Sequence, residues 1–195
     1  MHREGTPKLH PALASQLTKP DSWISVSQSK RKGRDMTEYN TSLQPVTPAD
    51  KDFLCTVYAS TREEEMELSG WDKQQISDFL GQQFHYQHTY YQQEFPEATY
   101  SLILVNNERA GRLYLDRREK EHRIIDIALL PRFQRKGIGS KLLKEILEEA
   151  NQAGKSVGIH VEQNNPALHL YNRLGFVKTG EQGLYFLMEW NARRG

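Results

Sequence analysis

Six consecutive residues, Gln134-Arg135-Lys136-Gly137-Ile138-Gly139, combine two glycines with two cations in a pattern suited to holding an anion. An apolar run over residues 124–130 precedes them and ends at Pro131, which has no N–H to give a strand ladder. Behind them Ile138, Leu142, Leu143, Ile146, Leu147 and Ala150 recur at helical spacing, and Gly154 stands at the C′ position. The pattern predicts strand, glycine turn, helix. The first amides of such a helix lack internal partners and sit at the positive end of its dipole. Glycines at 137 and 139 let a bulky anion reach the backbone. Arg132, Arg135, Lys136 and Lys141 add positive charge, so phosphate is the expected anion. A Gly-x-Gly-x-x-Gly dinucleotide loop fails because position 142 is Leu142, and no Gly-Lys-Ser/Thr triphosphate loop is present.

A second informative stretch follows a short apolar strand at 157–161. It reads Asn164-Asn165-Pro166-Ala167-Leu168-His169-Leu170-Tyr171-Asn172-Arg173-Leu174-Gly175-Phe176. Pro166 suits a first helical turn and Gly175 a C′ cap. The glycine loop, Gln-x-x-Gly-x-Gly after a buried strand, resembles the pyrophosphate loop of the GNAT N-acetyltransferases. The second stretch resembles that family's Asn-x-x-Ala-x-x-Leu-Tyr-x-x-x-Gly-Phe element. The resemblance covers about residues 43–190 and is most specific over 123–190.

The resemblance implies an α/β (α+β) fold. A mixed, mostly antiparallel sheet of about seven strands would be flanked by about four helices, with the two central strands splayed. It implies acetyl-CoA as co-substrate and direct transfer of an acetyl group to a primary amine of a small molecule or peptide. The pantetheine arm would lie along the backbone of Ile127, Ala128, Leu129 and Leu130 like an added strand. The pyrophosphate would rest on the amides of Arg135, Lys136, Gly137, Ile138, Gly139 and Ser140, with Gln134 opening the motif. Asn164 and Asn165 compete for a pantetheine contact, with Asn165 favoured by the Asn-Pro-Ala form. Tyr171 occupies the position whose hydroxyl would protonate the leaving thiolate; packing of its helix is the alternative. A backbone N–H near Ala128 or Leu129 would polarise the carbonyl.

The amine needs a base. Strand alternation would put His122, Ile124, Asp126, Ala128 and Leu130 on one face. Some family members carry a base at the position matching Asp126. An acid in an apolar strand is costly unless it is used or paired, so a structural pair with Arg112 or Arg123 is the competing reading. Glu162 and His160, at the end of the next strand, are reserve candidates.

These residues need a scaffold, and 195 residues supply one domain plus a tail, or at most two small domains. Residues 1–35 hold seven of the 26 Lys and Arg but three of the 25 Asp and Glu, net +4. The remainder is left with 19 basic against 22 acidic residues, net −3. A disordered basic extension over 1–41, with Met36 as a second candidate start, precedes a domain expected over 42–195. The run Lys30-Arg31-Lys32-Gly33-Arg34 could touch nucleic acid, but the acidic domain argues against a nucleic-acid module. No stretch is long and apolar enough for a membrane span, and the single cysteine, Cys55, is compatible with a reducing cytoplasm. No Cys/His cluster has metal-ligand spacing, so no metal is expected. A homodimer stays open.

Along the chain, a first strand near 43–46 leads into a helix bearing Phe53, Leu54, Val57 and Tyr58. Glu63, Glu64, Glu65 and Glu67 read as a solvated loop. A second helix is predicted over 72–93, with Phe84, Gln87 and Tyr91 on a common face as an acceptor-side wall. For Phe84 core packing is the alternative. A hairpin turning at Asn106-Asn107 and a closing hairpin after Phe176 complete the sheet. Outside the enzyme reading, a non-catalytic acyl-CoA sensor would keep the glycine loop but need neither Tyr171 nor Asp126.

Overall fold

Seven strands form one open mixed sheet: β1 (Thr41–Pro45), β2 (Thr99–Val105), β3 (Glu108–Arg117), β4 (Glu121–Leu129), β5 (Ser156–Glu162), β6 (Val177–Gln182) and β7 (Tyr185–Trp190). Their order is β1-β2-β3-β4-β5-β7-β6, and only β4 and β5 run parallel. The helices are α1 (Lys51–Ser60), α2 (Glu63–Glu67), α3 (Lys73–Glu94), α4 (Ile138–Gln152) and α5 (Leu168–Arg173). This computed structural model describes residues 39–192. The predicted extension over 1–41 therefore lies outside the described residues up to residue 38. Tyr39 already packs against the core, and Thr41 opens β1.

Local chemistry explains most boundaries. Asn106 and Asn107 both take positive φ, 51° and 65°, the two-residue turn that matches strand twist between β2 and β3. Asp72 caps α3 by accepting from the amides of Gln74 and Gln75 at 2.8 and 2.9 Å, while Gln75 reaches back to the Asp72 amide. All six residues of the predicted inner face of α4 are buried. Each such aliphatic side chain contributes about 1.5–3 kcal/mol of burial. The acidic stretch after Arg62 is the short helix α2 rather than a loop, entered directly from α1.

The core has two layers. Ile103, Leu113, Leu115, Ile124, Val157 and Ile159 pack with α4 on one face of the sheet. Leu102 and Tyr114 pack with Leu54, Tyr58, Leu80 and Phe84 of α1 and α3 on the other. Phe84 is 2% exposed in this second layer, so it belongs to the core and not to an acceptor wall.

One irregularity sets the site. Tyr114 pairs with Asp126 but Leu115 pairs with Ile124, so Ile125 is an extra residue in β4. Such a bulge reverses the side-chain parity beyond it. His122 and Ile124 share the α4 face with Arg117 and Leu115. Asp126 and Ala128 share the opposite face with Tyr114 and Arg112. The single face expected for residues 122 to 130 is thereby split in two.

Candidate active site

The parallel pairing of β4 with β5 ends at Ile124 and Ile159. Beyond it the strands part, and β4 continues through Leu129 with one edge open. Leu130 N–H donates to Ala110 O at 2.9 Å. Gly111 and Leu129, paired beside that bond, are thus a non-hydrogen-bonded pair, and Leu129 turns its own N–H and C=O to the open side. Alternation gives Ile127 the same orientation, while Asp126 and Ala128 bond back to β3. Of the expected backbone contacts, Ile127 and Leu129 are the ones offered to a ligand. Gln134 Nε2 donates to Leu129 O at 2.7 Å, tying the loop to this edge. Close approach of β3 is allowed by Gly111, where a Cβ would lie 2.0 Å from Ala128 O.

The loop below the splay has two residues in left-handed backbone. Arg135 takes φ 59° and Gly137 φ 83°. The left-handed form costs a non-glycine residue about 1–2 kcal/mol, and strain of this kind gathers at ligand sites. Among the described residues, the six amides from Arg135 to Ser140 find no acceptor, and the first helical bond is Lys141 N–H to Gly137 O at 3.0 Å. These unpartnered amides fit a phosphate group. The surrounding cations differ from expectation. Arg132 pairs with Glu108 and lies over the Phe133 ring, and Lys136 stands over Tyr39 and Phe133. Arg173, unmarked in the sequence reading, reaches Ser140 Oγ at 3.4 Å.

Tyr171 is positioned by the end of its own helix. Gly175, φ 93°, gives its N–H to Asn172 O, and Phe176 gives its N–H to Tyr171 O, both at 3.1 Å. This is a Schellman cap, and the Tyr171 and Phe176 rings meet edge-on at 5.6 Å, the apolar contact that accompanies it. The Tyr-x-x-x-Gly-Phe spacing therefore encodes a helix stop that aims a tyrosine. Tyr171 is 4% exposed. Burial, then the Asp126 carboxylate, pushes its hydroxyl well above the ordinary tyrosine range, so it holds its proton at neutral pH. Asn165 Oδ1 accepts from Ala167 N–H at 2.9 Å and so shapes the entry to α5. Asn164 is exposed, with no such duty.

The two candidate bases stand on opposite lips of the splay and are bonded differently. Asp126 faces Arg112, with Oδ2 2.8 Å from Nη2 and Oδ1 3.3 Å from Nε. Arg112 also donates to Gln87 Oε1 at 2.9 Å. Both Asp126 oxygens are engaged, as the structural-pair alternative anticipated. On the β5 lip, Glu162 Oε1 accepts from Arg62 Nη2 at 2.9 Å and from the Tyr185 hydroxyl at 3.4 Å. Its Oε2 has no hydrogen-bond partner among the described residues, and the side chain is 34% exposed. Burial, then Glu162, pushes Tyr185 up to about 12. His160 meets Arg123 at 2.7 Å through Nε2. Burial, then Arg123, lowers its pKa to about 4, so the ring is neutral and that lone pair is occupied.

Gln87 of α3 meets Arg112, and Tyr91, one turn on, meets Tyr114. Tyr91 is raised well above its ordinary value by burial and then by Asp126, with Arg112, Tyr185 and Arg62 also in reach. Tyr91 thus feels the charges of both ion pairs, and its ring meets Tyr114 edge-on at 6.2 Å. Arg62 and Tyr185 had no local signal, because they meet Glu162 only through the fold.

The model of the acetyltransferase (GNAT) family matches residues 63–176. The chain belongs to this family. Among curated relatives, it is 39% identical over 69 residues to the uncharacterized N-acetyltransferase CgeE of Bacillus subtilis, covering 35% of this chain and 27% of that one. It is 46% identical over 54 residues to the L-amino acid N-acyltransferase MnaT of Escherichia coli, covering 26% and 31%. The matched stretches thus span less than a third of either relative. The PaiA N-acetyltransferase of Thermoplasma acidophilum, solved in complex with coenzyme A, superposes with TM-score 0.59 at 16% identity, over 78% of this chain and 99% of that one. PH1933 of Pyrococcus horikoshii gives 0.60 at 21% identity, over 80% and 100%. At these identities the superpositions speak to the fold: a seven-stranded GNAT sheet with flanking helices.

Proposed function

We propose that the protein transfers an acetyl group from acetyl-CoA to a primary amine. The observation that carries this reading is the row of six unpartnered amides at the foot of an open strand edge. Arg135, Lys136, Gly137, Ile138, Gly139 and Ser140 would hold the pyrophosphate, and the Ile127 backbone with the Leu129 carbonyl the pantetheine amides. Either Asn164 or the free Nδ2 of Asn165 would add a side-chain contact. When bound, the co-substrate supplies an activated acyl carbon as a thioester.

The chain's own groups account for the remaining work. The Leu129 N–H would polarise the thioester carbonyl. Glu162, through its open Oε2, would take the proton released as the amine nitrogen forms its bond to carbon. The Tyr171 hydroxyl, protonated at rest, would supply the proton to the sulfur as the carbon–sulfur bond breaks. One proton leaves the amine and one joins the thiolate, so charge balances over the cycle. Holding both reactants in one cleft supplies much of the remaining acceleration. Asp126 would hold Arg112 and shape the cleft rather than act as base. MnaT of Escherichia coli, matched over 54 residues, is an L-amino acid N-acyltransferase, which agrees with an amine acceptor. Cys55 is a free thiol, in keeping with a reducing compartment such as the cytoplasm. Among the described residues no helix is long and apolar enough to cross a membrane.

The test is an amine screen read by thiol release from acetyl-CoA, run with Tyr171→Phe and Glu162→Gln. Each substitution should lower turnover by about 10²-fold or more and leave acetyl-CoA affinity nearly unchanged. Acetyl-CoA binding without turnover of any amine would favour the non-catalytic sensor instead.

A further inference from the structure

We infer that the acceptor is a free α-amino acid, recognised as a zwitterion by the Arg62–Glu162 pair. The inference rests on the acetyl-transfer reading and narrows its acceptor. Arg62 stands at the junction of α1 and α2, and Glu162 is the last residue of β5, beyond the final β4–β5 pair. Their contact spans 2.9 Å. Glu162 is held by one oxygen and leaves the other open. Arg62 gives one N–H to Glu162, has Nη1 3.5 Å from Glu65, and stands over the Tyr58 ring at 5.9 Å. This engages only part of its five-donor fork.

The charges of this pair are spaced like those of an α-amino acid. In such a molecule the ammonium nitrogen and the nearer carboxylate oxygen lie about 3 Å apart, as the bond lengths of the backbone unit require. A zwitterion laid head to tail against the pair puts its ammonium on Glu162 and its carboxylate on Arg62. The nitrogen is then beside the open Oε2, which can pass its first proton to solvent to give the neutral amine and take the second as the bond to carbon forms. A lysine side chain, a polyamine or a peptide N-terminus has no carboxylate at that distance and would give the remaining guanidinium donors no substrate partner. Arg112 cannot take the role: its side chain is 3% exposed, and it is committed to both oxygens of Asp126 and to Gln87. Arg123 is committed to Glu121 and His160.

The test compares acceptors that differ only in the carboxylate. The full chain is assayed by thiol release from acetyl-CoA with L-amino acids, the matching α-amides, the matching decarboxylated amines, a tripeptide and spermidine. A charge-assisted contact to a substrate carboxylate should favour the acid over its amide by about 10- to 100-fold in kcat/KM. In Arg62→Met the acid-to-amide ratio should fall to near one. Because both acceptors see the same variant, any general effect on Glu162 cancels. Should Arg62→Met fail to fold, Arg62→Lys serves, keeping the charge but not the fork and retaining only part of the preference. A wild-type ratio near one, a ratio that survives Arg62→Met, or turnover of the tripeptide or spermidine alone would overturn the inference while acetyl transfer stands. Turnover of no amine at all would remove both.

Discussion

Asp126→Asn separates a structural carboxylate from a catalytic one. Asparagine keeps the shape of the side chain and one oxygen that can accept from Arg112. The other oxygen becomes an NH2 group facing guanidinium donors. Arg112 is 3% exposed on its side chain and Asp126 14%, with contacts of 2.8 and 3.3 Å between them. Removing one partner of a buried pair costs about 3–5 kcal/mol. The retained oxygen, the Gln87 contact and the residual exposure of Asp126 place this substitution near the lower end, about 3 kcal/mol. In a chain of this size each kcal/mol moves Tm by about 2–4 °C, so Tm should fall by about 6–12 °C at pH 7. Turnover of the folded fraction should keep the wild-type dependence on pH. Replacing the whole pair, Asp126→Leu with Arg112→Met, should recover much of the stability. The measurements are calorimetric Tm and a thiol-release pH–rate profile below the variant's melting range. An unchanged Tm together with turnover lost at low pH and regained at high pH would refute the argument and make Asp126 the base.

Three further outcomes follow from single residues. Gly137→Ala should lower stability by about 1–2 kcal/mol through the left-handed backbone alone, since nothing lies within 4 Å of its Cβ. Gly137→Asp should also abolish the rise in Tm on adding acetyl-CoA, and a surviving rise would move the pyrophosphate elsewhere. Gly111→Ala should lower Tm by several degrees, because its methyl would meet backbone at Ala128 O that no rotamer change relieves; calorimetry checks this. For His160 the folded pKa, about 4, lies below the ordinary value near 6.5. The unfolded chain then binds more protons between these values, so stability present above pH 6.5 is lost as pH falls toward 4. The ring is half-buried, so about 1 kcal/mol of this should be visible, and His160→Gln should flatten the fall in Tm over that range.

What could be read from the chain followed from local rules. The inner face of α4 is a 3.6-residue period, and the ends of α4 and α5 are glycine caps. What could not be read came from contacts between distant residues. Ile125 looks like any apolar strand residue, yet as the bulge it turns Asp126 away from His122, so alternation grouped the wrong side chains. Phe84 and Tyr91 share a helical face, but the depth of each depends on how α3 meets the sheet, and Phe84 sinks into the core. The short helix at Glu63 was hidden by its charge. Arg62 was passed over because its partner Glu162 lies 100 residues away in sequence. Asn165, favoured as a ligand contact, has its carbonyl oxygen engaged in shaping α5, a duty visible only once the turn is formed.

The helix that carries Tyr171 has six residues. A helix this short has no independent stability; packing and the Gly175 cap keep it formed. Local openings of this kind need less free energy than unfolding the whole domain. On warming, a growing fraction of molecules should have an intact sheet and a filled nucleotide site while the tyrosine is out of place. Activity would then decline several degrees below the temperature at which the domain melts, and ligand binding would outlast turnover. The thermal ceiling of the proposed reaction would be set by the last turn of one small helix rather than by the core beneath it.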